Sequence, residues 1–485
     1  SDTGSISSAD LNSLNALTTG VVTVTGVTTV SGLLADIVTS YSGNNLSGVI
    51  TGLSDEAITI TDTGSISAAD LNTVNSKTTG VVTVNNATAV TGNYSDVNDA
   101  YAANTAGTIT GLGNEAITIS DSTGITVTQA NTIDAYTTGV VTATISSNDI
   151  DILSSLTGTG NAYSVTVNDA SVSAEKLNAL EAKTSSAVAV TSSTVTGAVA
   201  AIKTAYTSSG LTGLGSESIT VDSGSVSVAD ANTLGGYTSG TVTATVSDGD
   251  ASTLKGITES GNALSITVTD TTVAATDVTA IDAKTSVAVT VNSTNLTGTN
   301  TEQLSAYSAH KAGTVTGLDN AFDAASYLAS HADLLKAFGS DTVQAKAHFF
   351  DYGISEGRTI DSFNESTYLA SYTDLLAAYG TNTSSAVTHY VNHGYSENRA
   401  VDNFDELGYI ASYADLITAF GADATAATNH YINFGYSENR SVTFDAASYL
   451  AADANADLRT AFGSDLEQAK QHYINFGVNE NRALA

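Results

Sequence analysis

The last third of this chain repeats one imidazole, one carboxylate and one guanidinium at fixed intervals. His348, His389, His430 and His472 are followed by Glu356/Arg358, Glu397/Arg399, Glu438/Arg440 and Glu480/Arg482. Those groups together could move protons or hold a metal ion. The recurrence argues for something else. A catalytic centre is normally single, whereas this set occurs four times. A buried polar contact made once per repeat fits better, with Arg440 bridging Glu438 or the next unit's helix end and His430 donating to a carbonyl.

Carboxylates form a second candidate set. Asp62, Asp121, Asn168, Asp222, Asp248, Asp250 and Asp270 follow segments that read as strands, and Ser247-Asp248-Gly249-Asp250 is the densest acidic loop. Asp149 and Asp151 occupy the equivalent place one super-repeat earlier, and Asp55-Glu56 is a weaker pair. Carboxylates and backbone carbonyls are hard oxygen ligands, which suits Ca²⁺. The candidate metal residues are therefore Asp248, Asp250, Asp149, Asp151, Asp62, Asp121 and Asp222. Asp and Asn are also the ordinary residues of turns and helix caps, and that reading stands beside the calcium one. Tyr41, Tyr101, Tyr206 and Tyr307 form a third set, able to stack on sugars or to anchor packing. GxSxG, Walker, HExxH and dinucleotide fingerprints are absent, so no catalytic residue and no organic cofactor is assigned. Paired carboxylates for glycoside hydrolysis remain open, although a sugar-cleaving cleft without Trp is unusual.

Composition narrows the classes. The chain has 485 residues, 41% of them hydrophobic, and a net charge of −34. It can bury a core, so it is not a disordered polyanion. Residues 1–318 carry 27 acids and 7 Lys, and the remainder 22 acids against 8 bases. Such a surface repels nucleic acid and attracts divalent cations. There is no Cys, which excludes disulfides and thiolate metal sites. No run of about 18 apolar residues exists, so no transmembrane helix is expected. Pro, Met and Trp are also absent. The lack of Met implies a processed or partial chain.

Two repeat arrays must position these residues. In residues 1–318 a β signal recurs, as in Ala57-Ile-Thr-Ile, Val81-Val-Thr-Val, Ala116-Ile-Thr-Ile and Val140-Val-Thr-Ala, the short intervals being 23 or 24 residues. Between strands lies a helical signal, best seen in Ser67-Ala-Ala-Asp70-Leu71-Asn-Thr-Val74. Ser67 is a cap with Asp70 at the third helical position, and Leu71 and Val74 face the core. The signal weakens where Lys176 replaces the acid and Ala274 the cap. A strand plus a short helix per 23–24-residue coil predicts a β-rich solenoid. Gly-to-Tyr segments closing on Thr-Gly-Leu divide it into super-repeats 1–53, 54–112, 113–214 and 215–318. Residues 2–7 match 62–67, but the strand that precedes 62 has no counterpart, which implies further repeats upstream.

Residues 319–485 hold four repeats of about 41 residues, predicted to form an all-α array of helical hairpins. Tyr409, Ile410, Tyr413, Leu416 and Ile417 recur at helical spacing, with Gly421 and Gly435 expected to terminate the two helices.

The pattern Tyr-Leu-Ala-Ser-x-x-Asp-Leu…Ala-Phe-Gly…His-Tyr…Gly-x-x-Glu-x-Arg resembles a repeat of large secreted surface proteins of cyanobacteria and proteobacteria. In those it accompanies hemolysin-type (RTX) calcium-binding regions and surface-layer-like sequences. The resemblance covers about a third of the chain. The Gly-Gly-x-Gly-x-Asp nonapeptide of hemolysin-type calcium binding is absent, so calcium is not carried over by motif. The resemblance and the composition imply an extracellular structural protein that is not an enzyme. It would self-assemble into a surface layer, sheath or filament, stabilised by Ca²⁺. The alternative is a cell-surface adhesin, with a solenoid stalk and a helical module that binds envelope polysaccharide or a receptor. A polysaccharide lyase on a β-solenoid would need a base in an acidic groove, and seven scattered Lys make that poor.

Overall fold

The computed structural model describes residues 3–46 and 49–484. Ser1 and Asp2, which open the first super-repeat, and Ala485, which ends the second array, lie outside the described residues. Two compact units are present. One runs to Gly249 and takes in 253–266 and 284–287; the other holds 250–252, 267–283 and 288 onward.

In the first unit strands alternate with short helices, and every pairing between its described strands is parallel. Each strand pairs with its counterpart one repeat on, so like side chains stack on like. Ile58 faces Val82, Ile117 faces Val141 and Ile219 faces Val242. All six are fully buried, each removal from water contributing about 1.5–3 kcal/mol. The intervening threonines also align, Thr59 with Thr83 and Thr118 with Thr142. One sheet has five strands, from Gly4–Ser7 to Ile109–Thr110. A second has seven, from Ser65–Ser67 to Leu211–Thr212, and a third has five, from Ser171–Ser173 to Ala263–Ser265.

The helices start where the caps place them. Ser7, Ser67 and Ser227 accept the N–H of Asp10, Asp70 and Asp230. Ser173 does the same for Lys176, so the cap needs the hydroxyl rather than the acid. Leu71, Val74, Ile133, Leu177 and Leu234 from these helices are fully buried. A second-turn asparagine then ties each repeat to the next. Asn12, Asn72, Asn131, Asn178 and Asn232 donate to the carbonyls of Asp36, Asp96, Ser155, Ala201 and Gly256 at 2.8, 2.8, 2.9, 3.0 and 2.8 Å. The Thr-Gly-Leu glycines are forced. Gly111 has φ +92°, and a Cβ there would lie 2.0 Å from the Val84 carbonyl oxygen.

The second unit begins with short parallel strands, Thr267–Val268, Val289–Val291 and Val315–Thr316, and the helices Ala275–Asp282 and Asn300–Ala312. Ala275–Asp282 forms with no side-chain cap at Ala274, because Val278 and Ile281 are fully buried. An all-helical region follows. Each of its four copies has at least three helices rather than the two of the expected hairpin, the first adding a short fourth, Ile354–Glu356. In the third copy these are Glu406–Ala411, Ala414–Phe420 and Ala424–His430. The predicted first helix breaks after Ser412, at Tyr413, whose backbone is extended (φ −137°, ψ 118°). The break has a partner. Ser412 Oγ accepts the N–H of Thr443 and Phe444 from the following copy, at 2.8 and 2.9 Å. Ser330 and Ser371 act likewise toward Ser362 and Asn403.

Gly421 ends its helix with positive φ, as expected. Gly435 does not. It lies inside a π-helical turn, Tyr431–Gly435. Termination falls to Gly357, Asn398, Asn439 and Asn481, all left-handed at φ 66°, 54°, 55° and 52°.

Replacing Asn72 with Ala removes the side-chain donor to the Asp96 carbonyl, at about 0.5–1.5 kcal/mol. Amide exchange in Ala68–Asn75 and Tyr94–Ala106 should accelerate roughly 2- to 10-fold, with distant repeats unchanged. Unaltered exchange in both helices would show that the ladder is not what joins them.

Candidate functional site

The repeated His, Glu and Arg belong to two clusters. Tyr327, Tyr368, Tyr409 and Tyr449 are fully buried. Their hydroxyls lie 3.1, 3.0, 2.9 and 2.9 Å from Nδ1 of His348, His389, His430 and His472. The partner is thus a phenol and not the carbonyl expected from sequence. The hydroxyl passes directly over the π-turn glycine. A Cβ on Gly353, Gly394, Gly435 or Gly477 would sit 2.6, 2.1, 2.0 or 2.4 Å from it, which explains why this position is Gly.

The arginines form a clamp. Arg440 Nε donates to Glu438 at 2.7 Å and Nη1 to Asp415 at 2.8 Å. Arg358, Arg399 and Arg482 repeat it with Asp333, Asp374 and Asp457. Donation from Arg399 holds the Asp374 carboxyl below its usual range. The Arg399 and Arg440 guanidinium groups also lie 4.7 and 4.8 Å from the ring centroids of Tyr372 and Tyr413. The Asp carboxylates are well exposed, so solvent screens these pairs and each adds little stability. The clamp ties the third helix of a copy to its second.

The strand region contains an ionisable cluster that sequence reading missed. Glu56, Glu115 and Glu217 are only 2, 3 and 4% exposed. Tyr41 and Tyr101 donate to Glu56 and Glu115 at 3.2 and 3.1 Å, and Tyr206 donates to Glu217. Backbone N–H groups of Ser54, of Gly113 and Asn114, and of Gly215 and Ser216 complete the three sites. A buried carboxylate is tolerated when donors surround it. Asp55-Glu56 is therefore not a surface acidic pair. The signal was present as a Glu at 11–15 residues after the super-repeat Tyr. In the fourth super-repeat no Glu follows. Tyr307 instead packs edge-on against Phe322 and Phe349, with centroids 5.9 and 5.2 Å away.

The candidate calcium residues are spread along the chain. Asp62, Asp121 and Asp248 each accept the first N–H of a helix in the preceding repeat, from Leu34, Tyr94 and Val228 at 2.8, 2.7 and 2.7 Å. Asp169 and Asp270 do the same for Ile150 and Ala251. Asp149 caps its own helix through Asp151 and Ile152 N–H. Asp151 pairs with Lys176, and Asp250 accepts from Ser252 Oγ. Asp222 is exposed at a strand end. Among the described residues no three His, Cys, Asp or Glu converge to hold a metal ion. Asp62, Asp121, Asp149, Asp169, Asp248 and Asp270 thus serve helix N-termini, where both the unpaired N–H groups and the dipole favour a negative charge.

One further feature recurs on the helical array. The residue before each π-turn glycine is exposed: Tyr352, His393, Phe434 and Phe476. Each stands beside the repeat's His ring, with centroids 5.7–5.8 Å apart. No known protein family, curated protein or solved structure matches the chain.

Burial pushes the Tyr327 and Tyr449 hydroxyls up to about 12. Folded values above the unfolded value of about 10 mean this stability is intact below pH ~10 and is lost as pH climbs toward 12. A 295 nm titration should show exposed tyrosines ionising near pH ~10, with the buried set following only as helical circular dichroism collapses. A single wave from all 21 tyrosines with the helical signal intact would contradict this burial.

Proposed function

We propose that this chain is an extracellular, non-catalytic structural protein whose strand–helix repeats coil into a β/α solenoid. Copies of it assemble into a layer, sheath or filament. The observation that supports this most is that the ionisable clusters recur: Tyr with Glu in three of the four super-repeats, and Tyr with His and Arg with Asp and Glu in all four helical copies. None stands alone beside a nucleophile. The ladder of asparagines and the cross-repeat aspartate caps favour the solenoid, since both join a repeat to its neighbour.

Calcium enters this proposal as a counter-ion between acidic copies, because Asp62, Asp121 and Asp248 are already engaged as caps. No helix among the described residues is long and apolar enough to cross a membrane. The adhesin reading is favoured by one observation, the exposed ring that recurs on the helical array.

Electron microscopy of the purified chain at millimolar Ca²⁺, with and without chelator, decides between assembly and isolated particles. Ordered sheets or fibres that dissolve on chelation are expected. Monodisperse particles in both conditions would overturn the structural reading.

A further inference from the structure

We propose that the helical array binds a neutral polysaccharide through one shallow aromatic cleft per repeat; this does not rest on self-assembly. The third copy shows the cleft in full, a groove of about 330 Å³ lined by Phe420, Ala426, Asn429, His430, Asn433 and Phe434. The His430 ring stands between two phenyl rings, with centroids 5.6 Å from Phe420 and 5.7 Å from Phe434. Phe434 is 58% exposed, and Phe476 at the same place in the fourth copy is 57% exposed. Tyr409 engages His430 Nδ1, so the other ring nitrogen, Nε2, is left to meet a ligand hydroxyl. Asn433 is fixed by donation to the Asn429 carbonyl at 2.8 Å and retains an acceptor oxygen.

This combination selects the ligand class. A sugar ring offers C–H faces to aromatic rings and hydroxyls to a donor and an acceptor at the edge. None of the lining residues carries a formal charge, and the array around them is net negative, which disfavours both acidic ligands and a second copy of this face. The cleft is repeated as Phe338–His348–Tyr352, Tyr379–His389–His393 and Phe462–His472–Phe476. The second, third and fourth copies carry Asn392, Asn433 and Asn475 beside it, the first Asp351. Stacking on one small cleft is weak. Several clefts on one chain convert later contacts with a polymer into intramolecular ones, so a ligand that is itself repetitive gains most.

The test uses the full chain, held monomeric in chelator so that failure of assembly cannot interfere. Depletion isotherms are measured on cellulose, chitin and an insoluble β-glucan. Retention on at least one is expected. The triple variant Tyr352→Ala/Phe434→Ala/Phe476→Ala should weaken it roughly 10-fold or more, while Phe434→Tyr keeps it. All three residues are exposed, and circular dichroism verifies that the variant is folded. Two results would overturn the proposal: no retention on any of the polymers, or equal retention by the triple variant.

Discussion

A buried tyrosine hydroxyl must find a hydrogen-bond partner, and that requirement organises both arrays. Burial of the ring supplies packing, but an unpaired hydroxyl would cost about 1–3 kcal/mol. In the strand region the partner is Glu56, Glu115 or Glu217, drawn out of water and surrounded by backbone N–H groups. In the helical region it is the histidine of the same copy. The second solution imposes further constraints. The hydroxyl crosses the backbone so closely that only Gly fits at 353, 394, 435 and 477. The chain there widens into a π turn, and the left-handed residue four positions on ends the segment. One polar contact thus accounts for a His, a Tyr, a Gly and an Asn or Gly in every copy.

Charge is handled by the same economy of local partners. The chain carries a large negative excess, yet its acids are not idle. Asp62, Asp121, Asp169, Asp248 and Asp270 reach back to the first N–H of a helix one repeat earlier. The four Arg of the helical repeats each hold two acids. Arg459 instead donates to the carbonyls of Leu450 and Ala452 in the fourth copy, where the extra residue alters the second helix. The uncompensated charge that remains lies on the surface, where it limits which partners can approach.

Much of this was legible before any coordinates. Ser67 as a cap with Leu71 and Val74 inward follows from spacing alone, and the structure places them so. The alternation of strand and short helix, and the helical character after residue 322, follow from the change in hydrophobic period. Other readings failed for identifiable reasons. The third copy's first helix reads as continuous through Ser412, because its local sequence is a good helix former. The break comes from the next copy, whose N–H groups claim the Ser412 hydroxyl. Gly435 reads as a stop signal because Gly usually is one. Its real constraint, a phenol twenty-six residues earlier in sequence at Tyr409, is invisible to a local window. His393 and Phe434 were passed over because a lone exposed aromatic has no periodic signature within one repeat.

The sequence by itself determined the two repeat arrays, the positions of strands and short helices, and the absence of any thiol chemistry. Those properties are set by local periodicity, caps and composition, which act within a few residues. The tertiary structure alone decided which polar groups meet. That Asp248 serves Val228, that Asn72 serves Asp96 and that Glu115 sits under Tyr101 are pairings across 14 to 24 residues. They depend on the parallel stacking that brings one repeat onto the next. A carboxylate's role, whether metal ligand, helix cap or buried acceptor, is fixed by what stacking places within 3 Å of it, and no spacing rule in the chain specifies that.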